Sequence, residues 1–447
     1  MIILISNVIY IMSNFIINGG KKLKGEISTN SAKNSAVAIL CACTMIKGKT
    51  TLTDVPVIEE VKRIIEILIS IGIKINWTGK HSLEIVNNGK LSLDKINKES
   101  YIKTRSGLLL MGALSTQLSN FSLPKSSGCN LGKRTVNPHI IALEHLGISV
   151  KCLKDRYQIS KSKSRAADFP MYEAGDTATE NAIMAATHIS GKTSIHFASS
   201  NYMVQDLCYF LEKAGAKIEG IGTATIKISG VKRLKEVKNY SIMPDPIESM
   251  AFISIAITTK SRLKIKKCPI DFLELELEKL RLMGQKFNTS KPYLSANKKF
   301  KLIDIEIIPS NLKSLPDKLH PLPYPGLNID NLPLFIPILT QTKGETLVHD
   351  WIYENRAIYY TELNKLGAKI TLHDPYRVTV VGPTKLISSE IICPPALRPS
   401  INLLICMLAA KGKSTLRNSY SIDRGYEDIV GRLNNLGADI TMQDNII

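Results

Sequence analysis

Cys129 stands in the stretch SSGCNLGKR, flanked by Gly128 and Gly132 and followed at once by Lys133 and Arg134. Neighbouring cations favour the thiolate over the thiol, so this setting lowers a cysteine pKa and makes the group reactive. A glycine-flanked basic loop is also not a core segment, and Cys129 is therefore the candidate acid or nucleophile. The other candidates share a position rather than a motif. Lys33 with Asn34, Arg105, Thr179 with Glu180, Asp245 with Glu248, Asp330, and Arg398 each head a short apolar run. If those runs are helices, their first turns carry free backbone N–H groups and the positive end of the dipole, and several converging on one cleft make an anion site. The plainer alternative is that these residues are ordinary caps or surface charges.

The elements that must position them repeat. A phrase of glycine followed by a strand-like segment recurs at Gly72, Gly147, Gly215, Gly284, Gly367 and Gly437, at intervals of 68 to 83 residues. A second landmark, a turn and strand such as KGKTTL, SGKTSI, KGETLV or KGKSTL, lies 23 to 25 residues before the phrase glycine in four copies. Between the two landmarks the apolar residues fall at three- and four-residue spacing, as in VIEEVKRIIEILISIG, which predicts an amphipathic helix ended by a left-handed glycine. Before each turn comes a run apolar on all sides, among them SAVAILCACTMI, GLLLMGALST and INLLICMLAA, which reads as a buried helix. Six repeats of about 70 residues therefore predict an α/β fold in which buried helices are surrounded by sheets, three repeats to a domain.

Composition sets the outer limits. A chain of 447 residues calls for two or three domains, and no apolar run approaches the roughly 20 residues that span a bilayer. The opening MIILISNVIYIM has neither a basic leader nor a small-residue cleavage site, so it does not read as a secretory signal, and Met12 is as good a start as Met1. Cys41, Cys43, Cys152, Cys208, Cys268, Cys393 and Cys406 form no C-x-x-C pair and have no histidine at zinc spacing, a pattern of buried thiols in a reducing cytosol. The formal charge of +19 points to anionic partners or to a solvated lysine coat, and with aromatics at 6% no stacking motif favours nucleic acid.

The repeat, with a charged residue at the head of each inner helix, resembles the enolpyruvyl transferase superfamily from about residue 14 onward. Four segments bring it nearest to the branch whose acceptor is a UDP-amino sugar: SAKNSAVAIL, SSGCNLGKRTVNPH, YPGLNIDNLPLF, and the pair YENR and SIDRGYE. The resemblance implies a two-domain inside-out α/β barrel, residues 33–243 forming one domain and residues 1–32 with 244–447 the other, the active site lying between them. It implies that phosphoenolpyruvate gives its enolpyruvyl group to the 3'-hydroxyl of UDP-N-acetylglucosamine with release of phosphate, the first committed step of peptidoglycan precursor synthesis in the cytoplasm. Cys129 would then protonate or add to phosphoenolpyruvate, and Asp330 would take the acceptor proton. Lys33, Arg134, Arg398 and Arg424 would clamp the phosphate and carboxylate. Asn34 and Ile352 would lie beside the sugar, with Arg105 and Arg356 completing the cleft. Arg356 has a local alternative in an ion pair with Glu354. No metal, organic cofactor, nucleic acid or membrane partner is implied.

Departures from that pattern gather where the nucleotide should bind. Thr135, Val136, Asn137 and Pro138 follow Arg134 where the family shows Pro, Val, Asp and Leu, and Glu173 stands where a diphosphate-binding lysine is expected. Ser31, Val57, Pro246 and Ala396 replace a glycine, a basic residue, an arginine and an acid. Two other readings follow from these departures. One is a paralogue with the same chemistry on another nucleotide or sugar, and the other is a non-catalytic binding descendant.

Overall fold

The computed structural model describes residues 11–125, 135–161 and 163–446. Six sheets are built around two sets of inner helices. Three sheets lie within residues 48–241: strands Val237–Ser241, Gly48–Thr53, Ser82–Asn87 and Lys74–Gly79 in that order; Asn120–Pro124, Arg156–Lys161 and Ile148–Cys152; and Lys217–Glu219, Thr225–Ser229, Lys192–His196 and Asp168–Pro170. Of the other three, two combine the beginning of the chain with its second half. Strand Lys24–Ser28 pairs in parallel with Arg262–Pro269, and Ile11–Gly19 runs antiparallel to both Gly412–Arg417 and Ile440–Ile446. A third sheet holds Gly344–His349, Arg377–Gly382 and Lys369–Asp374.

The chain thus passes between the two groups of sheets twice, and the two passages lie side by side. Ala32 N–H donates to Met243 at 2.8 Å, and Asp245 N–H donates to Asn30 at 2.8 Å. The fold is the inside-out α/β barrel in two halves that the repeats predict.

All six phrase glycines have positive φ, from +76° to +106°, a region that costs an L side chain strain. Each therefore ends an outer helical segment and turns the chain into the next strand. The first outer helix, Glu59–Ser70, buries Val61, Ile64, Ile65, Ile67 and Leu68 and leaves Lys62, Glu66 and Ile69 outside, as its period requires.

The inner helices are Lys33–Ala42, Leu110–Ser115, Asp176–Ala186, Pro246–Thr258, Leu332–Leu339 and Leu397–Ala409. Every residue of Pro246–Thr258 is buried. Helix Leu332–Leu339 contains Pro337, which has no N–H to give the carbonyl four residues back. That carbonyl, on Pro333, accepts instead from Asn402 Nδ2 of the neighbouring inner helix at 2.9 Å. Helix geometry departs from expectation most in the second and fifth repeats. The inner run of the second repeat starts as a 3-10 turn, Ser106–Leu109, and the outer run of the fifth, Ala357–Leu366, is 3-10 throughout. In the first case Gly107 lies so close to Tyr101 that a Cβ would stand 2.7 Å from its ring.

Among the described residues no helix is long and apolar enough to cross a membrane.

Candidate active site

Asp330 sits in the turn that enters helix Leu332–Leu339, its N–H held at 2.8 Å by the Asn328 side chain. Arg398, at the second position of helix Leu397–Ala409, donates to Asp330 Oδ2 at 3.1 Å, and Arg356 stands 3.7 Å from Oδ1. Arg356 is itself immobilised. It forks onto Asp350 with contacts of 2.6 and 2.7 Å, donates to the Ile329 carbonyl at 2.9 Å, and is 1% exposed. Tyr360 closes the arrangement by donating to Asp350 at 2.6 Å. The partner of Arg356 is thus Asp350, so the guanidinium is a buried brace for Asp330 rather than a free cation at the cleft surface. Arg398 is braced by Tyr426, whose hydroxyl accepts at 3.0 Å.

Burial pushes the Asp330 carboxyl up, but Arg398, Arg356 and Lys33 outweigh it and hold the group below its usual range. Asp330 is therefore ionised at neutral pH and can accept a proton. Its side chain keeps 28% exposure, so one edge of this ionised group remains open to a ligand.

Lys33 is the first residue of helix Lys33–Ala42, whose N-cap, Ala32, offers no side chain to the free N–H groups. Burial pulls the Lys33 ammonium below its ordinary pKa; Arg424 and Arg398 add to that effect, while Glu60 and Asp330 oppose it. Asn34 donates to the Tyr202 hydroxyl at 3.1 Å. Arg424 comes from the other half of the fold and brings its Nε to 3.5 Å from Glu60 Oε2. Lys33, Arg398, Arg424 and Asp330 are therefore electrostatically coupled, three cations and one carboxylate drawn from both halves.

Arg105 donates to the carbonyl of Thr135 at 2.9 Å and so pins the chain where it returns from residues 126–134. Cys129 and Arg134 belong to that segment and lie outside the described residues. Ile352 is half-buried in the bend after strand Gly344–His349. Not every residue at a helix head faces the cleft. Thr179 and Glu180 are buried, and Asp245 caps its own helix by accepting from Ile247 N–H at 2.8 Å. Glu248 pairs with Arg432 at 2.6 Å. Of the departures, Glu173 is exposed on the turn before helix Asp176–Ala186, and Asn137 and Pro138 open helix Asn137–His145. Val57 offers its backbone N–H to Glu427 at 2.9 Å, and Ala396 is an N-cap with no side-chain bond.

Sequence reasoning passed over Glu60, Asp350, Tyr360 and Tyr426, the residues that hold the named groups in place. Glu60 lies in a charged helix start, VIEEV, where a carboxylate reads as helix-dipole complement, and only its 4% exposure distinguishes it.

Residues 17–433 match the family model described as EPSP synthase (3-phosphoshikimate 1-carboxyvinyltransferase). A UDP-N-acetylglucosamine 1-carboxyvinyltransferase from Bradyrhizobium diazoefficiens is 34% identical over 437 residues, covering 95% of this chain and 97% of that protein. One of the same name from Bacteroides thetaiotaomicron is 32% identical, covering 96% and 100%. Among solved structures, the enolpyruvyl transferase NikO from Streptomyces tendae superposes with a TM-score of 0.84 at 21% identity, covering 97% of this chain and 99% of that one.

Proposed function

The chain belongs to the EPSP synthase (3-phosphoshikimate 1-carboxyvinyltransferase) family, and on that premise we infer that it is a transferase moving the enolpyruvyl group of phosphoenolpyruvate to the 3'-hydroxyl of UDP-N-acetylglucosamine. The observation that carries this reading is an ionised Asp330 held between Arg398 and Arg356, beside Lys33. We assign residues 33–243 to one domain and residues 1–32 with 244–447 to the other, with the reaction between them. The enzyme works in the cytoplasm, on the first committed step of peptidoglycan precursor synthesis.

The chemistry is addition followed by elimination. Cys129 delivers a proton to the methylene carbon of phosphoenolpyruvate, and the acceptor hydroxyl oxygen bonds to the neighbouring carbon while Asp330 takes its proton. The tetrahedral intermediate then breaks its bond to the phosphate oxygen and returns a proton from the new methyl group to the Cys129 thiolate, which restores the enol double bond, while Asp330 passes its proton to the departing phosphate. Forked guanidinium groups suit a ligand bearing both phosphate and carboxylate, and Arg134, Arg398 and Arg424 with Lys33 supply that clamp. Charge on the departing phosphate is stabilised by groups already in place, the largest electrostatic contribution in reactions of this kind. Asn34 and Ile352 lie beside the acceptor sugar, Arg105 completes the basic set of the cleft, and Arg356 acts through Asp330.

The exposed carboxylate of Glu173, before an inner helix whose first residue is Asp176, favours a second reading in which another nucleotide or sugar is the acceptor. The test is phosphate release from phosphoenolpyruvate offered UDP-N-acetylglucosamine, other nucleotide sugars, or shikimate 3-phosphate in turn. Release with UDP-N-acetylglucosamine alone supports the first reading. Release only with another acceptor overturns it.

A further inference from the structure

A buried carboxylate outside the proposed proton-transfer pair faces the cationic wall of the cleft. Glu60 is the second residue of helix Glu59–Ser70 and is 4% exposed. Its Oε1 accepts from the hydroxyls of Thr104 and Ser106, the latter at 3.3 Å, which ties the side chain to the segment between helix Lys98–Lys103 and the 3-10 turn Ser106–Leu109. Its Oε2 is buried with no hydrogen-bond partner among the described residues, yet lies 3.5 Å from Arg424 Nε of the opposite half. An unbonded oxygen on a buried ionised carboxylate is costly, and such groups persist where they serve something else.

What Glu60 faces gives the reason. Burial pushes the Glu60 carboxyl up, but Lys33, Arg424, Thr104 and Arg63 outweigh it and keep the group ionised. In return, Glu60 is the largest influence holding the Lys33 ammonium charged against burial. Glu60 also belongs to a row of contacts between residues 57–81 and the segment 420–427. Arg63 donates to the Tyr420 hydroxyl, Val57 N–H donates to Glu427 at 2.9 Å, and His81 stands 3.5 Å from the same carboxylate. Tyr426 of that segment braces Arg398, and Arg398 holds Asp330.

We propose that Glu60 is a positioning residue: its carboxylate, seated in one half and facing Arg424 of the other, holds Arg424 and Lys33 together as one anion clamp. This rests on the reading of Lys33 and Arg424 as that clamp. Glu60 touches neither substrate nor reacting atoms; its action passes through the two cations and through the docked segment 420–427.

The test reads Lys33 directly and needs no turnover. Competitive acetylation of the full chain across pH, followed by peptide mass spectrometry, gives the pH at which the Lys33 amine becomes reactive. In Glu60→Gln that midpoint falls by about one pH unit or more, because the opposing charge is gone while burial, Arg424 and Arg398 remain. Glu60→Asp, which keeps the charge but withdraws it by one methylene, gives a smaller fall in the same direction and carries the test alone if the glutamine variant does not fold. Where turnover is measurable, the alkaline limb of kcat/KM moves to lower pH with the same ranking, which a merely structural role would not produce. A Lys33 midpoint unchanged in a folded Glu60 variant overturns the proposal, whatever the acceptor proves to be.

Discussion

The Arg398 guanidinium stands 3.1 Å from the Asp330 carboxylate, and the two residues head different inner helices that pack together in the same half of the fold. Neither helix start has a side-chain cap of its own; the Leu332 and Leu334 N–H groups donate to the Asn328 and Asn331 carbonyls, so charge at this corner comes from the two side chains. Arg398, with Arg356 and Lys33, also keeps Asp330 ionised against burial, which pushes its carboxyl up.

Replacing Asp330 by asparagine removes the proton acceptor and preserves the shape of the turn. Turnover is expected to fall by about 10²- to 10⁴-fold, the usual worth of a positioned general base. Affinity for the UDP-sugar, measured by calorimetry, should change much less, which separates a lost proton transfer from a lost binding contact.

Asp350→Asn tests the brace behind Asp330. Arg356 would keep its buried position with only Asp330, 3.7 Å away, to balance it, and breaking a buried pair costs up to about 3–5 kcal/mol. Urea unfolding of the variant should show that loss of stability, and activity should fall with it because Arg356 would no longer be held against Asp330.

Asp206 offers a pH signature. It accepts from Tyr240 at 2.6 Å, Met243 N–H at 3.2 Å and Asn297 at 3.3 Å, the last from the opposite half, and burial pushes its carboxyl up to about 7. The folded state therefore binds a proton that an unfolded aspartate releases near pH 4. Its stabilising contribution is full below that pH and is lost as pH rises to about 7, at about 1.4 kcal/mol per pH unit. Urea melts at pH 5 and pH 8 should differ less for Asp206→Asn than for the parent.

Thiol labelling separates the cysteines by environment. Cys41, Cys43, Cys208, Cys268, Cys393 and Cys406 are buried, and burial raises their thiols, those of Cys268 and Cys393 to about 12. Brief alkylation of the native protein at neutral pH should leave all six unmodified. Cys129, flanked by Lys133 and Arg134 in the sequence, is expected to react first, ahead of the exposed Cys152. Peptide mapping reads both outcomes.

The frame was legible because its punctuation is local. Gly72, Gly147, Gly215, Gly284, Gly367 and Gly437 each meet a backbone demand that glycine answers best, and their spacing alone reports six units. Asp330, Lys33 and Arg398 were legible because each heads an apolar run. Glu60 and Asp350 were not, since a carboxylate at a helix start or after a strand looks solvated until tertiary contacts put Arg424 beside one and Arg356 beside the other. The 3-10 form of Ser106–Leu109 depends on the close approach of Gly107 and Tyr101, which no short sequence window displays. Asp245 and Glu248 head an inner helix as Lys33 does, but Asp245 is a local cap on Ile247 N–H, the plainer alternative, and only the fold brings Arg432 to Glu248.

The most direct measurement of the central claim is the mass of the acceptor after incubation with phosphoenolpyruvate, parent protein beside Asp330→Ala. The account predicts that UDP-N-acetylglucosamine gains one enolpyruvyl group for each phosphate released, and that the variant produces neither. Phosphate release with UDP-N-acetylglucosamine unchanged in mass, or enolpyruvyl transfer undiminished without Asp330, would contradict it.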